Sequence, residues 1–126
     1  MTHEDYMKEA LALAREAAAH GEVPVGCVIV RDGRIIGRGR NRREEKQAVF
    51  SHAEMEAMAQ ANESLGSWRL EDCDLYVTLE PCPMCAGAII NARARHGYVL
   101  VVVAAVVEKQ NARRPHFFDC LQVCGD

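Results

Sequence analysis

The sequence is poor in proline, with 4, and in aromatic residues, at 6%. With 49% hydrophobic and 26% charged residues beside so few prolines, a disordered or low-complexity chain is excluded. There is no excess of positive charge either. The formal net charge is −3 and the pI about 5.9, which argues against a protein that wraps duplex nucleic acid by overall charge. A local basic patch stays open. The longest apolar run, 98–107, is too short to span a bilayer, so no membrane partner is expected. The opening Met1-Thr2-His3-Glu4-Asp5 is acidic and lacks the apolar stretch of a secretory leader, which places the chain in the cytoplasm. At 126 residues and 14.0 kDa, 1–126 makes one domain.

Six cysteines in so short a chain raise the question of a disulfide scaffold. A reducing compartment and an ample supply of Val, Ile, Leu and Ala argue against it. Cys82 and Cys85 stand as Cys-x-x-Cys, a spacing suited to metal or redox chemistry. Cys27, inside an apolar run, reads as a small buried hydrophobe. Cys73, Cys120 and Cys124 have no evident partner.

Apolar residues at Met7, Leu11, Ala14 and Ala18, widened by Ala10, Leu13 and Ala17, predict an amphipathic helix over 4–19 that stops at His20-Gly21. A strand over 25–30, the hairpin turn Asp32-Gly33 and a partner strand over 34–40 follow. Then come a polar loop over 41–47, a helix over 52–62 and a loop with Gly66 and Trp68. A strand over 74–78 is broken by Pro81 and Pro83, which open a helix through 84–90. The β-branched run 98–107 predicts a strand buried on both faces. The stretch 108–126 reads poorly in any state. A hairpin followed by alternating strands and helices predicts an α/β fold of three layers, α/β/α, with a mixed central sheet.

Chemistry concentrates at two predicted helix starts, His52-Ala53-Glu54 and Pro81-Cys82-Pro83-Met84-Cys85. A separation of three places both thiols on one side of the first turn, where the helix N-terminus favours thiolate. His52 from a second helix would complete three ligands, leaving the fourth tetrahedral position of a catalytic zinc for water. Zinc lowers the pKa of such a water towards about 7. Glu54, two residues past His52, is placed to move the proton to a leaving nitrogen. Simpler explanations compete for each part. Cys-x-x-Cys also suits a thioredoxin-like dithiol, and Ser51-x-x-Glu54 matches a helix capping box. The conjunction favours zinc, because neither alternative needs the other half of the pattern.

His-x-Glu followed by Pro-Cys-x-x-Cys is the established signature of the zinc-dependent cytidine and nucleobase deaminases, so the assignment follows a known pattern. Glu22-Val-Pro-Val-Gly26, Asn41 and the run from Leu75 through Pro81-Cys-Pro-Met-Cys-Ala-Gly87 to Arg93 resemble the tRNA-specific adenosine deaminases. The resemblance covers about 4–95. It implies a cytidine-deaminase-like fold and one zinc ion per chain held by His52, Cys82 and Cys85. It further implies Glu54 as catalytic proton shuttle and Asn41 as a substrate-binding side chain on the flipped nucleoside. The backbone of Val23-Pro24-Val25 would shape the base pocket, in a homodimer acting on the wobble adenosine of a tRNA anticodon loop. Two stretches depart from the family pattern. Val49-Phe50-Ser51 replaces a Pro-Thr-Ala-like stretch, and 111–126 does not follow the family's Gly- and Ser-containing loop and RNA-holding helices, as after a truncation or frameshift.

Arg31, Arg34, Arg38, Arg40, Arg42 and Arg43 crowd the hairpin and its exit, with Arg34, Arg38 and Arg40 on one strand face. They form either a solvated face or an RNA contact. Few aromatics are available for a stacking platform. Two other functions compete: deamination of a free base such as guanine or cytosine, and an inactive zinc-stabilised remnant, against which the presence of Glu54 argues.

Overall fold

The computed structural model describes residues 1–99 and, for the backbone, 116–119. Helix α1, His3–Ala19, begins one residue earlier than its periodicity predicts because Thr2 caps it. Thr2 Oγ1 accepts from the Asp5 N–H and Asp5 Oδ2 accepts from the Thr2 N–H, a reciprocal box. The helix closes at His20, followed by Gly21 at φ 77°.

Strands β1, Gly26–Arg31, and β2, Arg34–Arg40, pair antiparallel across Asp32 and Gly33. Both turn residues have positive φ, 50° and 74°, as the tight hairpin of an Asp-Gly pair requires. The stretch expected to be a loop contains a short helix α2, Arg43–Lys46. Helix α3 spans Ala53–Leu65 and ends on Gly66 in the left-handed region. It ends three residues later than predicted because Glu63, Ser64 and Leu65 continue to that stop. Strand β3, Cys73–Val77, leads into α4, Pro83–Asn91, with Pro83 in its first turn. Strand β4, His96–Val99, starts two residues before the predicted run; the remainder of that run, 100–107, lies outside the described residues. Strand β5, His116–Asp119, falls in the stretch that gave no pattern, and the rest of 108–126 lies outside the described residues.

The five strands are ordered β2-β1-β3-β4-β5. Among the described residues only β3 and β4 pair in parallel, joined through α4; the other pairs are antiparallel. The mixed sheet and three layers predicted from element order are therefore present. Strand alternation explains the layering. Cys27, Ile29, Leu75 and Val77 share a core with Ala53, Ala57, Met58 and Ala61 of α3 and Ile89 of α4. Val28, Val30 and Tyr76 point the other way, to Tyr6, Met7 and Ala10 of α1.

Glycines set the helix–sheet spacing. A Cβ on Gly39 would lie 2.2 Å from the Ala53 carbonyl oxygen, and one on Gly37 would lie 2.3 Å from that of Ala57. Their bare backbones let α3 sit directly on β2. That seat fixes the start of α3, where the site is built. Among the described residues no helix is long and apolar enough to cross a membrane.

Candidate metal centre and its pocket

Two helix starts converge at the site. His52 is the N-cap of α3 and Cys82 the N-cap of α4; neither side chain caps its own helix, so both are free to point at each other. Cys85 sits one turn into α4, buried, on the same side as Cys82. The His52 Nδ1 lies 3.6 Å from Cys82 Sγ and 3.5 Å from Cys85 Sγ. All three donor atoms fall within 4.8 Å of one another. Tetrahedral zinc with bonds of about 2.3 Å to sulfur and about 2.0–2.1 Å to nitrogen has S···N edges of about 3.6 Å. The three side chains fit that ion.

Electrostatics at the cluster point the same way. Burial, and then the negative charges of Glu54 and Cys82, push the Cys85 thiol far above its ordinary value. The thiolate expected from the helix N-terminus alone is thus not favoured at Cys85. Desolvation beside a carboxylate outweighs the partial charge of one helix end, and a divalent cation is what offsets it. Cys27 is buried in the core, with its thiol pushed well up by desolvation, as expected of a small hydrophobe. Cys73 is buried likewise and bonds the Glu71 carbonyl. Cys120 and Cys124 lie outside the described residues.

Glu54 stands in the first turn of α3, only 4% exposed, hydrogen-bonded to the Cys85 thiol. Burial raises its carboxyl above the usual carboxylate range; its own backbone N–H, His52 and Cys85 pull the other way. The capping box suggested by Ser51 and Glu54 does not form, because the N-cap is His52 and receives no side-chain bond. Ser51 is buried outside the helix, its N–H on the Ala48 carbonyl and its carbonyl accepting from the Arg42 N–H. Glu54 is therefore not engaged as a cap.

Glu54, His52 and Cys82 open into a cavity of about 160 Å³ also lined by Asn41, Val23, Val25, Arg43, Leu79 and Glu80. Asn41 Oδ1 accepts from the Arg43 N–H at 3.2 Å and Nδ2 donates to the Val23 carbonyl at 3.4 Å. Those partners fix which end of the amide is which. One N–H and one oxygen lone pair remain for a substrate. The sequence reading brought His52, Glu54, Cys82, Cys85, Asn41 and the Val23 backbone to one place, and the fold does the same. Leu79 and Arg43 were missed as lining residues. The only signal for them is adjacency to ligand-bearing segments.

Three of the six arginines of the hairpin and its exit, Arg38, Arg40 and Arg42, pair with carboxylates of the fold. Arg38 pairs with Glu9 at 3.0 Å, and Arg40 with Glu45 at 2.9 Å and Glu16 at 3.6 Å. Arg42 takes Glu45 at 2.5 Å and Glu56 at 3.8 Å. Arg38 and its partner stay half-exposed, as on a solvated face, whereas Arg40 is largely buried within its ion pairs.

With the centre laid out, comparisons with known proteins bear on it. The family model for the cytidine and deoxycytidylate deaminase zinc-binding region matches residues 1–101. The chain belongs to this family. Its zinc-binding character agrees with the His/Cys/Cys cluster. The chain is 54% identical over 91 residues to a tRNA-specific adenosine deaminase of Streptococcus pyogenes serotype M18, covering 72% of this chain and 57% of that protein. It is 53% identical over 94 residues to the tRNA-specific adenosine deaminase of Bacillus subtilis, covering 74% and 58% respectively. The chain thus spans somewhat over half the length of the curated relatives it matches. A solved structure from work on A-to-I editing by tRNA:A34 deaminases superposes with a TM-score of 0.74 at 50% identity, covering 75% of this chain and 73% of that one. The guanine deaminase of Bacillus subtilis superposes at 0.76 with 43% identity, covering 79% and 64%. These likenesses agree with the α/β deaminase-like fold.

Proposed function

We propose that this chain catalyses the zinc-dependent hydrolytic deamination of adenosine to inosine at the wobble position of tRNA, as a homodimer in the cytoplasm. The observation that carries the reading is the meeting of His52, Cys82 and Cys85 beside an uncapped, buried Glu54 in one cavity with Asn41. The relatives named as tRNA-specific adenosine deaminases support the substrate.

His52, Cys82 and Cys85 would hold the zinc ion, which when bound would supply an acidified water as nucleophile near neutral pH. Glu54 accepts a proton from the attacking water and delivers it to the departing amino group, so that adenosine and water give inosine and ammonia. Its burial favours a carboxyl able to hold that proton between the two transfers. Asn41 offers its remaining donor and acceptor to the base, and the apolar Val23, Val25 and Leu79 exclude water around it. Because Arg38, Arg40 and Arg42 are neutralised, the RNA is held by other groups, across the subunit boundary. A strictly monomeric species in light scattering would remove that shared binding site.

The second reading, deamination of a free base, has the likeness to guanine deaminase in its favour. Zinc-loaded protein is incubated with an anticodon stem-loop RNA bearing adenosine at the wobble position and, separately, with free guanine and free cytosine. Inosine confined to the wobble position supports the proposal; turnover of free guanine or cytosine alone replaces it with the second reading.

A further inference from the structure

Glu22 is a carboxylate buried to 6% exposure, remote in sequence from every ligand of the metal centre. Its two oxygens accept from successive backbone groups: the Glu44 N–H at 3.1 Å and the Glu45 N–H at 2.7 Å. Asn41 Oδ1 takes the preceding N–H, that of Arg43. Three consecutive donors at the opening of α2 are thereby satisfied by two side chains: Asn41, which lines the pocket, and Glu22, which stands next in sequence to the lining residue Val23. Glu22 precedes Val23, whose carbonyl receives the Asn41 amide, and the Asn41 N–H bonds the Val25 carbonyl. The 41–51 loop then runs from Asn41 through α2 to Ser51, whose carbonyl holds the Arg42 N–H, and ends at His52.

A buried carboxylate is costly unless its oxygens are filled, and charge-assisted bonds to backbone N–H groups are the stronger kind. Such bonds define a single position for α2. We infer that Glu22 is a positioning residue: by clamping α2 it fixes the Arg43 N–H, and through it the rotamer in which Asn41 presents its amide to the base. This rests on the reading of Asn41 as the base-binding side chain.

Glu22→Gln sharpens the point, because an amide offers one acceptor oxygen and turns its NH2 towards one of the two N–H groups, setting donor against donor. A misplacement of Asn41 by about 1 Å is expected to lower kcat/KM roughly tenfold to a hundredfold. The test is a double-mutant cycle of Glu22→Gln and Asn41→Ala in the zinc-loaded full chain, with anticodon stem-loop RNA as substrate. Steady-state kinetics, RNA binding by fluorescence anisotropy and zinc content are measured together. The expected result is a raised KM and weaker RNA binding in Glu22→Gln, with zinc content unchanged and no further loss when Asn41→Ala is already present. Additive losses in the cycle overturn the proposal, as does a Glu22→Gln variant with unchanged KM but less zinc, which marks a purely structural residue. If Asn41→Ala alone changes neither KM nor RNA binding, the reading of Asn41 fails first and the inference falls with it. Should Glu22→Gln fold poorly, Glu22→Asp, which keeps the charge but shortens the reach, enters the same cycle with the same outcomes.

Discussion

Two polar clusters flank the 41–51 loop, and they handle charge in opposite ways. Around Arg38, Arg40 and Arg42 every guanidinium meets a carboxylate from another part of the fold: Glu9 and Glu16 of α1, Glu45 of α2, Glu56 of α3. That cluster is complete in itself. At His52, Cys82 and Cys85 the adjoining cavity carries Glu54, Glu80 and Arg43, no ion pair among the described residues joins that arginine to Glu54, and burial pushes both Cys85 and Glu54 towards their protonated forms. This set is built for a cation that the protein's side chains do not provide. Internal compensation marks scaffold; concentrated, uncompensated ligands mark chemistry.

The sharpest way to break the contrast is Glu54→Gln. With no cap bond to lose, stability and zinc content should stay close to wild type, while turnover falls by about a hundredfold to ten-thousandfold. A variant that deaminates at the wild-type rate would return Glu54 to the scaffold. A smaller effect is expected from Gly39→Ala, which forces a methyl group towards the Ala53 carbonyl oxygen. Chemical denaturation should show a loss of about 1–3 kcal/mol. Zinc affinity should drop with it, since α3 carries His52; unchanged stability would mean that α3 does not rest on β2 as described. The smallest effect belongs to Arg38→Gln, whose half-exposed pair with Glu9 is worth less than about 1 kcal/mol. The salt dependence of RNA binding should not change. A slope lowered by about one unit would show that Arg38 meets phosphate and is not neutralised.

How much of this was legible in the sequence differs between the clusters for a physical reason. Cys82 and Cys85 are three apart on one helical turn and Glu54 follows His52 by two, so His-x-Glu and Cys-x-x-Cys announced themselves, and the two proline-marked or polar helix starts placed them. Strand alternation and the Asp-Gly turn likewise gave the hairpin and layers. The arginines looked like a surface feature because their partners come from distant segments, which no local pattern reveals. Ser51 and Glu54 matched a capping box by spacing, but the loop's own hydrogen bonds hold Ser51 one residue too early. Glu22 gave no signal of its role, since it binds backbone N–H groups 22 and 23 residues away. Helix α2 has four residues, too few for periodicity to register.

The central claim is that His52, Cys82 and Cys85 together hold one zinc ion. Zinc K-edge X-ray absorption on the purified protein, with the metal counted by mass spectrometry, tests it most directly. The account predicts about one zinc per chain, with two sulfur neighbours at about 2.3 Å and two nitrogen or oxygen neighbours at about 2.0–2.1 Å. Three or four sulfur neighbours would draw Cys27 or another thiol into the site and close the position needed for water, and a protein that binds no zinc would contradict the account outright.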